Sequence, residues 1–372
     1  MKIALLGDIA LHGAFGVSDE TKAPPDSLFA MGERLQAYDW VVGNLETPLT
    51  RATRPFGPKS AHIRARPVDV ASLKALGVHA VSVANNHSFD FGEAGLSETL
   101  EVLESAGIRA YGYDGVSVVL GDGPDTAELF GFCCYSTNPV GVDPSQGPAR
   151  LDALSVEGLT AVVKRSRDAG HMPIASVHWG DEHVHLPRWD HIIVARHAAA
   201  VGAYVLHGHH PHVLQGIEEK DGALLAYSLG NFCFDAVRVP GMRKPLVSPT
   251  QASRETGFLE VETLGAEVLS WRFHALRFDG ASYRDAPEVA GKVDEYSSTL
   301  PDADEGSGPY LAQRQAVLEA KAERRKKDRS LEWLVYRLRL RTLLNRIAAR
   351  RNRSRYDAHI RRPLVEIQRR SP

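Results

Sequence analysis

The 372-residue chain has no uninterrupted apolar run of about eighteen residues, the length a membrane-spanning helix requires, so none is expected. No secretory leader is expected either. MKIALLGDIALHG has one lysine, an apolar run broken at Asp8 and no small-residue cleavage site, which makes a cytoplasmic location the expectation. Cysteine is scarce: of the three, Cys133 and Cys134 are adjacent and Cys233 is distant, all in strand-like apolar stretches where reduced core thiols commonly sit. No internal repeat is present.

What remains is an ordinary globular composition, 43% hydrophobic, enough for one large α/β domain or two smaller ones. The net charge of −2 conceals an asymmetry. From Arg314 onward there are 19 Lys and Arg against 6 Asp and Glu, leaving 25 against 40 in the rest. An acidic body therefore carries a basic tail.

Short apolar runs at 2–6, 40–43, 79–83, 173–177, 203–206 and 223–227 have the pattern of buried strands. Helical patterns lie between them at 27–37, 67–76, 93–106, 155–169 and 189–201, with Ser155 as a start signal and Gly170 as a stop. Strands alternating with helices predict an α/β layered domain. GFLEVETLGAEVLSWRFHALRF (257–278) alternates around LGAE and predicts an antiparallel hairpin, hence mixed sheets. Residues 286–309, with Pro287, Pro301 and Pro309, read as a linker, and 310–372 as a basic helical extension.

Chemistry gathers where the strands end. The runs lead into Asp8, into Asn44 and Glu46, into Asn85, Asn86 and His87, into His178 and Glu182, and into HGHHPH at 207–212. In open α/β sheets the ligand crevice lies beyond the carboxyl ends of the strands, so these clusters converge if the strands are parallel neighbours. Carboxylates, an amide oxygen and several imidazoles form a donor set for Mn, Fe, Zn or similar divalent ions. Two such ions roughly 3.5 to 4 Å apart acidify a shared water and clamp a phosphoryl group. Taken singly, each cluster has a plainer reading. Asp8 can form an Asx-turn, Asn44 with Glu46 a turn and a surface carboxylate, Asn85 and Asn86 turn conformations, and His178 a core histidine. Four histidines in six residues resist that reading, because crowded imidazoles usually answer to a metal. His12, His183 and His185 are minor candidates, whereas His171, His191, His197, His274 and His359 read as packed or surface residues.

Six ordered blocks, GDIAL, GNLETPLT, ANNHSFDFGEAGLSETL, HWGDEH, GAYVLHGHHPHVLQGIE and YSLGNFCFD, resemble the CapA-type proteins of poly-γ-glutamate capsule synthesis, a branch of the calcineurin-like metallophosphoesterase superfamily. The resemblance covers residues 2–278 and implies a four-layer α-β-β-α sandwich over 1–285 with two divalent metal ions at the strand ends. It implies Asp8, Glu46, Asn86, His178, His210 and His212 as metal ligands, with Glu46 bridging. His87 would protonate the leaving group. Asp90 would orient it, and Glu182 would join them in the catalytic set. Asn44, Asn85, His209 and Asn231 would face the substrate, an anionic phosphoester or a polyglutamate-type peptide. The superfamily's usual opening has a His two residues after the first Asp; here Ala10 stands there. Two other readings accompany the hydrolase: a metal-independent peptide epimerase or acyl-transfer accessory using an acid/base pair at a Cα, and a non-enzymatic polymer-binding or assembly factor.

In the tail, RSLEWLVYRLRLRTLLNRIAARRNRSR (329–355) places Leu331, Leu334, Val335 and Leu338 on one helical stripe and Leu340, Leu343, Leu344 and Ile347 on a shifted one. This suits a helix docked on the acidic body, or a contact with a membrane surface or capsule complex that keeps the protein peripheral at the inner membrane face. Without a recognised binding motif, nucleic acid is not an expected partner.

Overall fold

All six apolar runs expected as strands form strands. The computed structural model describes residues 1–59, 61–143, 150–239, 242–302, 308–327 and 340–370. In chain order the strands are β1 (Lys2–Ile9), β2 (Trp40–Leu45), β3 (Ala80–Ser82), β4 (Arg109–Tyr111), β5 (Val118–Asp122), β6 (Asp125–Cys133), β7 (Met172–His178), β8 (Val205–His209), β9 (Ile217–Lys220), β10 (Ala223–Ala226), β11 (Asn231–Cys233), β12 (Glu255–Leu264), β13 (Glu267–Phe278) and β14 (Tyr283–Asp285). The first sheet runs β14-β13-β12-β1-β2-β3-β4, with β11 joining the end of β1; the second runs β5-β6-β7-β8-β10-β9. Both are mixed, parallel through β1-β2-β3-β4 and β6-β7-β8-β10, antiparallel at the β12-β13 hairpin and at the β5-β6 and β9-β10 edges.

Side-chain alternation divides the core. Ile3, Leu5, Val42, Ala80, Ile174, Val205 and Leu224 share one apolar cluster drawn from both sheets. Their chain neighbours Ala4, Leu6, Val41, Val81, Ala175, Leu206 and Leu225 fall in another, with Leu28 and Leu35 of helix Asp26–Leu35, Leu96 and Leu103 of Gly92–Ser105, and Leu159 and Val163 of Val156–Asp168. Period-two alternation therefore turns one face of each strand toward the other sheet and the opposite face toward helices. The result is the expected α-β-β-α sandwich, in which each fully buried aliphatic side chain contributes about 1.5–3 kcal/mol. The helix after Ser155 starts as its sequence directs, with Ser155 Oγ accepting from Gly158 N at 2.9 Å, and stops before Gly170 at φ +84°.

The sheets are tied together by a buried polar chain. His207 Nε2 donates to the Leu6 carbonyl at 2.6 Å, so its Nδ1 accepts from Ser176 Oγ at 3.0 Å, and Ser176 in turn takes the Tyr111 hydroxyl at 2.8 Å. Burial holds the His207 pKa well below the usual value, so the ring is the neutral tautomer this chain needs. All three cysteines are free and buried.

The linker expected over 286–309 needs correction. Pro287–Ser298 is a helix with Val289 and Val293 buried against the β9 and β13 region, because Pro287 sits in its first turn, where a missing N–H costs nothing. Residues 303–307 lie outside the described residues, as do Leu331, Leu334, Val335 and Leu338 of the tail stripe and the side chains of Leu340 and Leu343. The described tail docks on the body: Tyr310 Oη donates to the Pro187 carbonyl at 2.6 Å, and Ile360 and Tyr356 are buried.

Candidate metal centre

The five strand ends do converge, although not as one row of neighbours. β1, β2 and β3 are parallel neighbours in the first sheet and β7 and β8 in the second, and the two sets meet because the sheets face each other. Close approach of backbone is required there. A Cβ on Gly7 would lie 2.2 Å from the Gly230 carbonyl, the acceptor that takes Asp8 N at 2.9 Å.

Asp8, Glu46 and His212 bring one donor atom each to within 4.8 Å of one another, all buried. His212 Nδ1 lies 3.6 Å from Asp8 Oδ2 and 3.9 Å from Glu46 Oε1, and makes a 2.8 Å hydrogen bond to Asn231 Oδ1. A second group adjoins it: His178 Nε2 is 3.0 Å from Asn86 Oδ1 and 3.1 Å from His210 Nδ1. His210 N donates to Asp8 Oδ2 at 3.0 Å, linking the two. His210 and His212 hold left-handed backbone at φ +95° and +56°, which a non-glycine residue adopts only under constraint from its surroundings.

Burial and close packing of these groups perturb their ionisation. Burial alone would raise Asp8, but the imidazoles of His209, His212 and His178 outweigh it and hold the carboxyl well below its usual range. Burial, then the charge of Asp8, pushes Glu46 well above its usual range, with Glu182 adding to the effect. Both Glu46 oxygens are buried without a hydrogen bond, a cost native structures seldom leave uncompensated. Burial, with His210 beside it, lowers His178 strongly; burial brings His210 to about 4, leaving both rings neutral with lone pairs to offer.

His209 is placed differently from expectation. It shares the inter-sheet face with His207, two residues back, and is buried with Nδ1 3.1 Å from Asp8 Oδ1. Nδ1 faces the Asp8 carboxylate, and Nε2 makes no hydrogen bond. His209 is thus a further inward donor beside Asp8. Asn44 and Asn85, also expected to face substrate, are fully buried and committed to the framework. Asn44 Nδ2 donates to Asp8 Oδ1 at 2.9 Å, and Asn85 Nδ2 to the Leu45 carbonyl at 2.8 Å, while Asn85 Oδ1 accepts from the backbone of His87 and Ser88 at 3.0 Å each. Asn231 stays at the rim with His212, and Glu182 acts on both Glu46 and His210 by its charge.

His87 stands beside the donors with its ring fixed. Its Nδ1 lies 2.7 Å from Asp90 Oδ2, and since the carboxylate only accepts, Nδ1 carries the proton and Nε2 is left for exchange. Lys59 gave no signal in the sequence, one of several cations in the Pro/Gly-containing stretch RATRPFGPKSAHIRAR (51–66). It is buried, its Nζ is 3.1 Å from His87 Nδ1, and it donates to Asp90 Oδ1 and to the Asn86 carbonyl. Burial opposes ionisation of Asp90, but Lys59 and His87 keep it below its usual value; burial and Lys59 lower His87. His185 instead serves packing, bound to the Leu214 carbonyl at 2.9 Å and stacked on Tyr296. A cavity of about 790 Å³ runs along His12, Arg64, Arg66 and Asp69, lined by none of these donors.

Comparison with known proteins agrees with the resemblance seen in the sequence. The chain is 28% identical over 253 residues to the PGA biosynthesis protein CapA of Bacillus subtilis, a match that takes in 63% of each chain, so it spans less than two thirds of that relative's length. It is 27% identical over 308 residues to a probable polyglutamine synthesis accessory protein of Mycobacterium tuberculosis, covering 76% of this chain and 80% of that one. Among solved structures it is similar to the calcineurin-like phosphoesterase YfkN of Bacillus subtilis, with a TM-score of 0.42 and 15% identity over 80% of this chain and 97% of the other. The model of the bacterial capsule synthesis protein family PGA_cap matches residues 2–236, more than half of the sequence, and the chain belongs to that family.

Proposed function

We propose that the chain is a metal-dependent phosphoester hydrolase acting in the formation of a poly-γ-glutamate-type capsule polymer. The observation that carries this reading is the pair of Glu46 oxygens, buried without a hydrogen bond between Asp8 and His212, with Asn86, His178 and His210 converging alongside. Such a donor set fits two divalent ions of the Mn, Fe or Zn class, held by Asp8, Glu46, His212 and His209 on one side and Asn86, His178 and His210 on the other. Bound there, they would supply Lewis-acid polarisation of a phosphoryl oxygen and of the attacking water.

The chain's own residues do the rest. Asn44 fixes the Asp8 carboxylate and Asn85 fixes the turn that presents Asn86 and His87. Asp90 holds one proton on His87 Nδ1, so Nε2 can carry a second and give it to the leaving oxygen as its bond to phosphorus breaks, and Lys59 neutralises Asp90 so that the pair can stay buried. Asn86, His212 and Asn231, slightly exposed where Asp8 and Glu46 are not, form the floor the substrate meets.

The test is elemental analysis of the purified chain combined with hydrolysis of a chromogenic phosphoester after addition of Mn or Zn. Bound metal with metal-dependent turnover supports the reading. A chain that takes up no metal and turns over no phosphoester refutes it.

A further inference from the structure

The end of the chain carries its charge on one side. Residues 340–370 hold ten arginines, no lysine and two acids, Asp357 and Glu366. They form helix Leu340–Tyr356, a π-helical turn over Asp357–Arg361 and helix Arg362–Arg370. One face is committed to the body: Ala348, Asn352, Tyr356, Ile360 and Leu364 recur every four residues and are buried. A straight α-helix drifts by about 40° over four residues, and the wider π turn takes up that drift, keeping Ile360 and Leu364 on the docked side. Asn352 Nδ2 reaches Asn138 Oδ1 at 2.6 Å, and the His359 ring stacks on Tyr135. Arginines flanking this face find carboxylates, Arg355 at 3.4 Å from Asp143 and Arg361 at 3.4 Å from Asp190.

The outer side is different. Arg346, Arg350, Arg351, Arg353, Arg362 and Arg369 are exposed and have no carboxylate partner among the described residues. Arg346 and Arg350 stand four apart, a spacing at which like charges repel in water. Leu344, before them, and Ile347, between them, are 43% and 51% exposed, and Val365 further along is 45% exposed. A helix that only docks needs one apolar face, already supplied by Ala348 to Leu364. Unbalanced arginines interleaved with exposed aliphatic side chains match a surface that is anionic above and apolar beneath.

We propose that this outer face is a docking surface for an anionic lipid bilayer, with the arginines at the headgroups and Leu344 and Ile347 entering the acyl boundary. A soluble polyanion would satisfy the arginines but leaves the exposed aliphatic side chains without a role. No helix among the described residues is long and apolar enough to cross a membrane, so the contact lies along the surface. It needs no chemistry at the metal centre and stands apart from the hydrolase reading.

Co-sedimentation of the full chain with vesicles of phosphatidylcholine, alone or mixed with phosphatidylserine, tests it. The expected result is binding to the mixed vesicles only, weakening with salt. Each arginine near an anionic surface contributes about fivefold, so R346Q/R350Q/R353Q is expected to lower the partition roughly a hundredfold. L344S/I347S is expected to lower it roughly tenfold through lost burial. The three arginines and Ile347 lie off the docked stripe, whereas Leu344 continues it one turn before Ala348 and is 43% exposed; thermal melts check that both variants fold, and should either unfold, the two lipid compositions compared on the wild-type chain decide alone. Failure of the wild-type chain to bind phosphatidylserine vesicles, or an unchanged partition in the arginine variant, overturns the proposal. So does displacement by soluble poly-γ-glutamate with L344S/I347S binding as wild type, which would make the face a polyanion site.

Discussion

His87 Nδ1 and Asp90 Oδ2 are 2.7 Å apart, three residues distant in sequence, and the same carboxylate takes Lys59 on its other oxygen. The geometry makes one group of three: the lysine keeps the carboxylate ionised, and the carboxylate keeps the imidazole proton on Nδ1; on the proposed reading, Nε2 is then the atom that exchanges protons with the substrate.

That arrangement predicts a division between chemistry and stability. His87→Ala and Asp90→Asn are expected to lower kcat by about 10²–10⁴ while leaving metal content unchanged. Lys59→Met is expected to cost about 3–5 kcal/mol in denaturant unfolding, because it strands a buried carboxylate. Elemental analysis beside kinetics and melts separates the effects.

Glu46 carries a second prediction. Its folded pKa lies above the unfolded value near 4.5, so its contribution to stability is present below that pH and is lost as pH rises through the folded value. In metal-free protein the melting temperature of Glu46→Gln minus that of wild type should therefore grow with pH. Added Mn or Zn should raise the wild-type melting temperature and leave the variant little changed.

Acid should unfold the chain in a definable window. His191, stacked on Trp179 at 4.6 Å, is lowered by burial to about 3. A depressed histidine contributes stability above its unfolded pKa and loses it as pH falls, here from about 6.5 toward 3, at up to about 1.4 kcal/mol per pH unit. His191→Phe should flatten the dependence of melting temperature on pH across that range.

The docked tail can be loosened separately. Ile360 is fully buried, and Ile360→Ala is expected to cost about 2–5 kcal/mol of docking. Limited proteolysis should then cut within 340–370 before the body is attacked.

Much of this architecture was legible because it depends on local patterns. The strand runs through Leu5, Val42, Ala80 and Ile174 announce themselves by unbroken apolarity, and the helix from Ser155 to Gly170 by its cap and stop. The candidate donors could be picked out because each stands at or just past a strand end. What was misread turned on direction. Pro287 looks the same as a breaker or as a first-turn residue, and only the buried Val289 and Val293 show that it starts a helix. Asn44 and Asn85 have the residue type of substrate contacts, yet their amides hold Asp8 and the His87 turn. Lys59 left no periodic trace, since its role arises from a loop folding over Asp90.

The sequence by itself determined which residues form strands and helices, and that acids, amides and imidazoles sit at the strand ends, because period and residue type act over a few positions. Only the tertiary structure decided which of those groups share a cleft. Two sheets had to face each other before His178 and His210 could stand beside Asp8 and Asn86, and before Glu46 could be buried with nothing to bond. It also decided that His207 ties the sheets while His209, two residues on, reaches Asp8. Such pairings depend on distances across the fold, which no local pattern encodes.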